Sequence, residues 1–160
     1  MTRTAVICLT LWLLSSTAFA QDWDYQESKN AEGQIAYGAM RSLQYTTHDG
    51  RSGVALIMMM SDGNLLKVVM FASDVLKTGR SRIIFRVGQT PPIEATMLAE
   101  KATDSSGTAF STDSASVFDK LKLQLPKGDI LRISIDNDVT IELGTGDSQA
   151  VTKVAAKCGH

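Results

Sequence analysis

Cysteine, histidine, proline and aromatic side chains are all scarce in this 160-residue chain. Of two cysteines, Cys8 lies in an N-terminal apolar run, so only Cys158 is left outside it and no C-x-x-C metal or redox motif exists. The two histidines, His48 and His160, cannot form an H-E-x-x-H zinc site. His48 stands in a His-Asp-Gly turn and His160 is the last residue, which leaves little for acid–base catalysis. No G-x-S-x-G elbow and no D-x-D-x-D-G calcium loop is present. A charge excess is missing too: the formal net charge is −1, which argues against a nucleic-acid partner or a polybasic membrane anchor. Repeats, low-complexity tracts and long linkers are absent.

One apolar run is present, at the N-terminus. Arg3 is the only charge in residues 1–20, Ala5–Leu14 is apolar except for Thr10, and the segment closes with Ala18-Phe19-Ala20. A charged end, a short greasy helix and an A-x-A site make a secretory signal peptide over residues 1–20. A spanning helix needs about 20 apolar residues, roughly twice this run. Lipoprotein processing needs cysteine at the cut, where Gln21 stands. The expectation is an exported, periplasmic protein of one domain, 21–160, with no transmembrane segment after cleavage.

Within that domain the pattern is mostly of period two. Trp23 to about Thr47 reads as one or two strands broken near residues 29–33, with His48-Asp49-Gly50 as a turn. Residues 54–60 and 65–71 flank Ser61-Asp62-Gly63-Asn64, a hairpin centred on Asp-Gly. Both faces of that hairpin are apolar, which predicts a central position covered on both sides. Leu56→Asp is therefore expected to unfold the domain. Further strands are predicted at 81–87, 93–101 and 108–110, after a turn at 103–107. A helix capped by Thr112-Asp113-Ser114 carries Val117, Phe118 and Leu121. A hairpin follows, with Leu131, Ile133, Ile135, Val139, Ile141 and Leu143 inside. The last element is a helix from about Asp147 to Lys157. The fold class is α+β and β-rich: an antiparallel sheet or β-sandwich of six to nine strands with two short helices. Cys158 is expected buried or partly buried beside the last helix.

Candidates for chemistry are few. Met58-Met59-Met60 and Met70 could be copper ligands, but their Leu, Ile and Val neighbours make them core filler. Asp136, Asp138 and Glu142, or Asp22, Asp24 and Glu27, are acids close enough in sequence to consider as a glycosidase pair. Arg80, Arg82 and Arg86 recur at even spacing and so share one strand face, where guanidinium groups grip carboxylate or phosphate or simply pair with cross-strand acids. Trp23, Tyr25, Tyr37 and Tyr45 are candidates for a binding surface or for the core. No catalytic residue, metal ligand or cofactor is assigned; the binding residues taken forward are Arg80, Arg82, Arg86, Trp23 and Tyr37.

The order of pieces resembles the periplasmic accessory proteins of type VI secretion, the VasI-like family. A Trp opens the domain (Trp23), and a hairpin follows (Leu56–Val69). Next, an arginine strand runs into a proline turn (Arg86 to Pro92), and a Phe helix precedes a strand (Val117-Phe118 to Ile135). The chain closes with strand, Gly, helix and Cys (Ile141 to Cys158). That family often carries a cysteine near the position of Met60, absent here, which removes the partner that Cys158 would have. A weaker resemblance is to invasion-associated locus B proteins, whose cysteines are also missing. Both imply a non-enzymatic cell-envelope module whose partner is an envelope protein or peptidoglycan. The alternatives are a wall hydrolase using paired carboxylates, or an inhibitor of such an enzyme with a protruding loop at 48–53 or 89–93.

Overall fold

A computed structural model of the chain describes residues 22–29, 33–46, 50–63, 65–102 and 106–158. The segment 1–20 expected to be a signal peptide, His48, His160 and the turn residues 103–105 lie outside the described residues. The described strands are β1 (Asp24–Lys29), β2 (Ile35–Thr46), β3 (Ser52–Asp62), β4 (Leu65–Ala72), β5 (Gly79–Val87), β6 (Ile93–Lys101), β7 (Thr108–Thr112), β8 (Ile130–Ile135) and β9 (Val139–Gly144). Two helices, α1 (Ala115–Gln124) and α2 (Gln149–Lys157), complete the α+β, β-rich fold.

All nine strands belong to one antiparallel sheet in the order β1-β2-β3-β4-β7-β6-β5-β8-β9. Its inner face carries the alternating apolar set. Ile57 and Met59 on β3, Val68 and Met70 on β4, Ile83 and Phe85 on β5, and Ile133 and Ile141 on β8–β9 are all buried in one cluster. α1 contributes Val117, Phe118 and Leu121 to that cluster, and α2 contributes Ala150, Val151, Val154 and Ala155. α2 packs on β1–β3 and α1 on β4 and β6.

The β3–β4 hairpin departs from expectation in two ways. Asp62 is the last strand residue and pairs with Leu65, so the loop begins at Gly63, whose φ of 61° is open to glycine. The strands are also buried on one face only. Ala55, Ile57, Met59 and Ser61 are buried, while Leu56, Met58 and Met60 alternate with them half-exposed. The sequence pattern could not separate the faces because both are apolar.

Two tethers fix the curl of the sheet. The Ser73–Thr78 connection crosses from β4 past β7 and β6 to β5. Fully buried Thr108 pins it, accepting the Lys77 amide at 2.9 Å and donating to the Val75 carbonyl. At the ends of the sheet, Trp23 Nε1 donates to the Thr145 carbonyl at 2.9 Å, joining residues 122 positions apart. The Asp147 amide donates to Asp22 Oδ1 at 2.7 Å, and Arg41 Nη1 reaches the Thr145 carbonyl at 3.4 Å. The β1–β2 end and the segment after β9 are thus held together, and a single sheet encloses the core.

Candidate functional site

Alternation along β5 sends Ser81, Ile83, Phe85 and Val87 inward, and leaves Arg80, Arg82 and Arg86 exposed on the outer face. The three arginines do share a face, but their surroundings differ. Arg82 forms a cross-strand pair with Glu94, with Nε at 3.2 Å and Nη2 at 2.8 Å from the same oxygen. Both side chains are about half exposed (53% and 55%), so the pair is worth at most about 1 kcal/mol. Arg80 stands opposite Leu98 and has no charged partner among the described residues.

Arg86 is the distinctive member. Its register partner on β8 is Arg132. Arg132 in turn faces Glu142 on β9 and donates to it through Nε at 2.5 Å. Like charges directly opposite one another destabilise a sheet. The only carboxylate in this cross-strand row is engaged by Arg132, and Arg86 has no acidic partner among the described residues. Two planar, always-charged forks therefore face solvent side by side, an arrangement suited to a carboxylate or phosphate group. Alternation along β8 puts Arg132 on the outer face, but its register with Arg86 depends on sheet order and has no local signal.

The aromatic candidates go elsewhere. Trp23 is 5% exposed and its indole closes the sheet ends, so its ring is not part of an exposed surface. Tyr37 is half-buried on the inner side against the core, with the Lys157 ammonium 5.3 Å from its ring centre; Lys153 lies 6.0 Å from Tyr25 in the same way. Both tyrosines seat α2 and are remote from the arginine face in sheet order. Tyr45 is buried and donates to the Ser73 carbonyl at 2.5 Å.

The pleat separates the methionines: Met59 and Met70 are fully buried inside, while Met58 and Met60 point outward. No group of three His, Cys, Asp or Glu side chains that could hold a metal ion occurs among the described residues. Most of the acids considered for hydrolysis are bound to other groups. Asp136 holds Lys77 Nζ at 2.8 Å and the Arg82 amide at 2.7 Å, Glu142 holds Arg132, and Asp22 caps the Asp147 amide. The hydrogen bond from Lys77 is the main cause that holds the Asp136 carboxyl below its ordinary value. The 89–93 loop is tied to α1, with Gln124 Nε2 donating to the Pro91 carbonyl at 3.1 Å. No helix among the described residues is long and apolar enough to cross a membrane.

No protein-family model, no curated protein and no solved structure matches this chain.

Proposed function

We propose that this chain is an exported, non-enzymatic cell-envelope module that binds an acidic group of an envelope partner through the Arg86–Arg132 face. The observation that carries the reading is the juxtaposition of two exposed arginines in register, with the one carboxylate of their row, Glu142 on β9, already engaged by Arg132. A binding module tolerates such a local cost where a partner supplies the missing anion. The proposed partner is an envelope protein, and peptidoglycan with its free carboxylates is the second source of the same chemistry. The proposed setting is the periplasm, after removal of residues 1–20. The order of elements that resembles the type VI secretion accessory proteins supports a place beside a secretion assembly.

The test is retention on the purified protein, with detergent-solubilised envelope extract and purified peptidoglycan run in parallel. Capture of a specific protein by wild type and its loss with Arg86→Glu supports the proposal. Equal capture by the two, with equal melting temperatures, counts against it. Release of wall fragments over time would replace binding with hydrolysis.

A further inference from the structure

The surroundings of Arg86 and Arg132 are specific in more than charge. Alternation sets Ile84 and Arg86 outward on β5, Ile130, Arg132 and Ser134 on β8, and Thr140, Glu142 and Gly144 on β9. Strand pairing arranges them in rows. The middle row is Arg86–Arg132–Glu142, and on one side of it lies Ile84–Ser134–Thr140. On the other side lies Gly88–Ile130–Gly144. The amide of Gly88, directly after β5, donates to the Ile130 carbonyl at 2.8 Å, and Ile130 is the register partner of Gly144. Neighbouring rows are two residues apart along a strand, about 6.8 Å.

Each row offers a different chemistry. Two guanidinium groups and one carboxylate leave the middle row with a single net positive charge. One carboxylate matches that charge, whereas a phosphomonoester, close to doubly charged at neutral pH, exceeds it. Ile130 is 49% exposed, because the residues on its two sides are glycines with no side chain to cover it. An aliphatic side chain standing in a glycine floor is a place where another small apolar group can settle and lose water. The third row brings the half-buried hydroxyls of Ser134 and Thr140, which can accept from an N–H.

Shape limits the ligand further. The sheet curls until its β1–β2 end is tethered to the segment after β9, so this outer face is convex. A broad flat surface meets a convex face over a small area, whereas a protruding chain end needs no more than that. A carboxylate, an apolar side chain and a peptide N–H occur together on one residue only at the carboxyl end of a polypeptide. We infer that the acidic group held by Arg86 and Arg132 is the free C-terminal carboxylate of a partner chain whose last residue is aliphatic. The carboxylate lies on the two guanidinium groups, the last side chain against Ile130 and the last N–H toward Ser134. Arg132 meets Glu142 through Nε. The inference rests on the reading that the arginine pair binds an acid, and adds which acid it is.

Fluorescence anisotropy of the purified protein with rhodamine-labelled pentapeptides tests it. The probes are Gly-Ser-Gly-Ala-Leu as the free acid and as the C-terminal amide, Gly-Ser-Gly-Ala-Ser as the free acid, and Gly-Asp-Gly-Ala-Leu as the amide. The last keeps one carboxylate but moves it away from the chain end. The leucine acid is expected to bind at least about tenfold more tightly than either amide. It is expected to bind about threefold or more tightly than the serine acid. Arg86→Ala is expected to abolish the first preference, and Ile130→Ser only the second. Both positions are exposed, so melting temperatures near wild type are expected. Equal binding of the leucine acid and the aspartate amide overturns the inference and leaves the arginine reading standing. So does the absence of peptide binding while envelope capture still depends on Arg86. A leucine preference unchanged in folded Ile130→Ser also overturns it. Envelope capture that is indifferent to Arg86 overturns both.

Discussion

The sulfur of Cys158, just past the C-terminus of α2, lies 2.6 Å from the hydroxyl of Ser61 on the inner face of β3, 97 residues earlier. Met60, the neighbouring residue on β3, points to the opposite face. The residue that faces Cys158 is therefore Ser61. Ser61→Cys is expected to form a disulfide with Cys158 under oxidising conditions. Closing a loop of this length in the unfolded chain stabilises by at most about 4–5 kcal/mol. Thiol titration and melting with and without reductant check it. Two free thiols in the oxidised variant would show that α2 is not seated on β3 as described.

The closing seam supplies a paired prediction. Arg41 is 6% exposed, and its Nε has no hydrogen-bond partner among the described residues. Burial lowers its pKa from the ordinary value, with Asp22 opposing. Arg41→Met is expected to leave stability unchanged or raise it by about 1–4 kcal/mol, since apolar side chains replace poorly satisfied buried charge at little cost. Trp23→Phe, which removes the indole donor from the Thr145 carbonyl, is expected to cost about 1 kcal/mol. Denaturant unfolding of both variants gives the two signs.

Asp136 links stability to acid. Its folded pKa is depressed below 3.8, first by the Lys77 hydrogen bond. A depressed carboxylate stabilises the fold fully above its unfolded value and loses that contribution as pH falls through the folded one. Asp136→Asn is therefore expected to be less stable than wild type at pH 7, with the difference shrinking below pH about 4. Urea midpoints at pH 7 and pH 3 measure it. A difference that stays constant with pH would mean that the Lys77 contact does not form in solution.

The two faces of β3 give a fourth prediction, which reverses an expectation from the sequence. Leu56 is half-exposed on the outer face, and Ile57 is 1% exposed in the core. Leu56→Asp is expected to fold, whereas Ile57→Asp leaves a buried unpaired charge and is expected to unfold the protein. Circular dichroism of the two soluble fractions distinguishes them.

That reversal shows where the sequence is informative. β5, β8 and β9 carry charge or hydroxyl at most outer positions, so their inward residues could be read directly from the pattern. β3 and β4 lack that contrast because Met58, Met60, Val69 and Phe71 keep the outer face apolar. The Asp-Gly turn signal was displaced by one residue because Asp62 still pairs with Leu65. The arginine spacing located the outer face of β5. The opposition of Arg86 to Arg132, however, depends on β8 docking beside β5 after the chain has crossed the sheet, which no local pattern encodes. Trp23 gave no local sign of being a seam residue, because its acceptor is supplied by Thr145.

The proposed grip of Arg86 on an acidic group of a partner comes down to affinity. Its most direct measurement is the dissociation constant of the captured envelope partner for wild type and for Arg86→Ala, with melting temperatures taken alongside. Loss of a charged hydrogen bond of about 1.5–3 kcal/mol predicts binding weaker by roughly ten- to a hundredfold at unchanged melting temperature. Equal dissociation constants for two equally stable proteins would contradict the account.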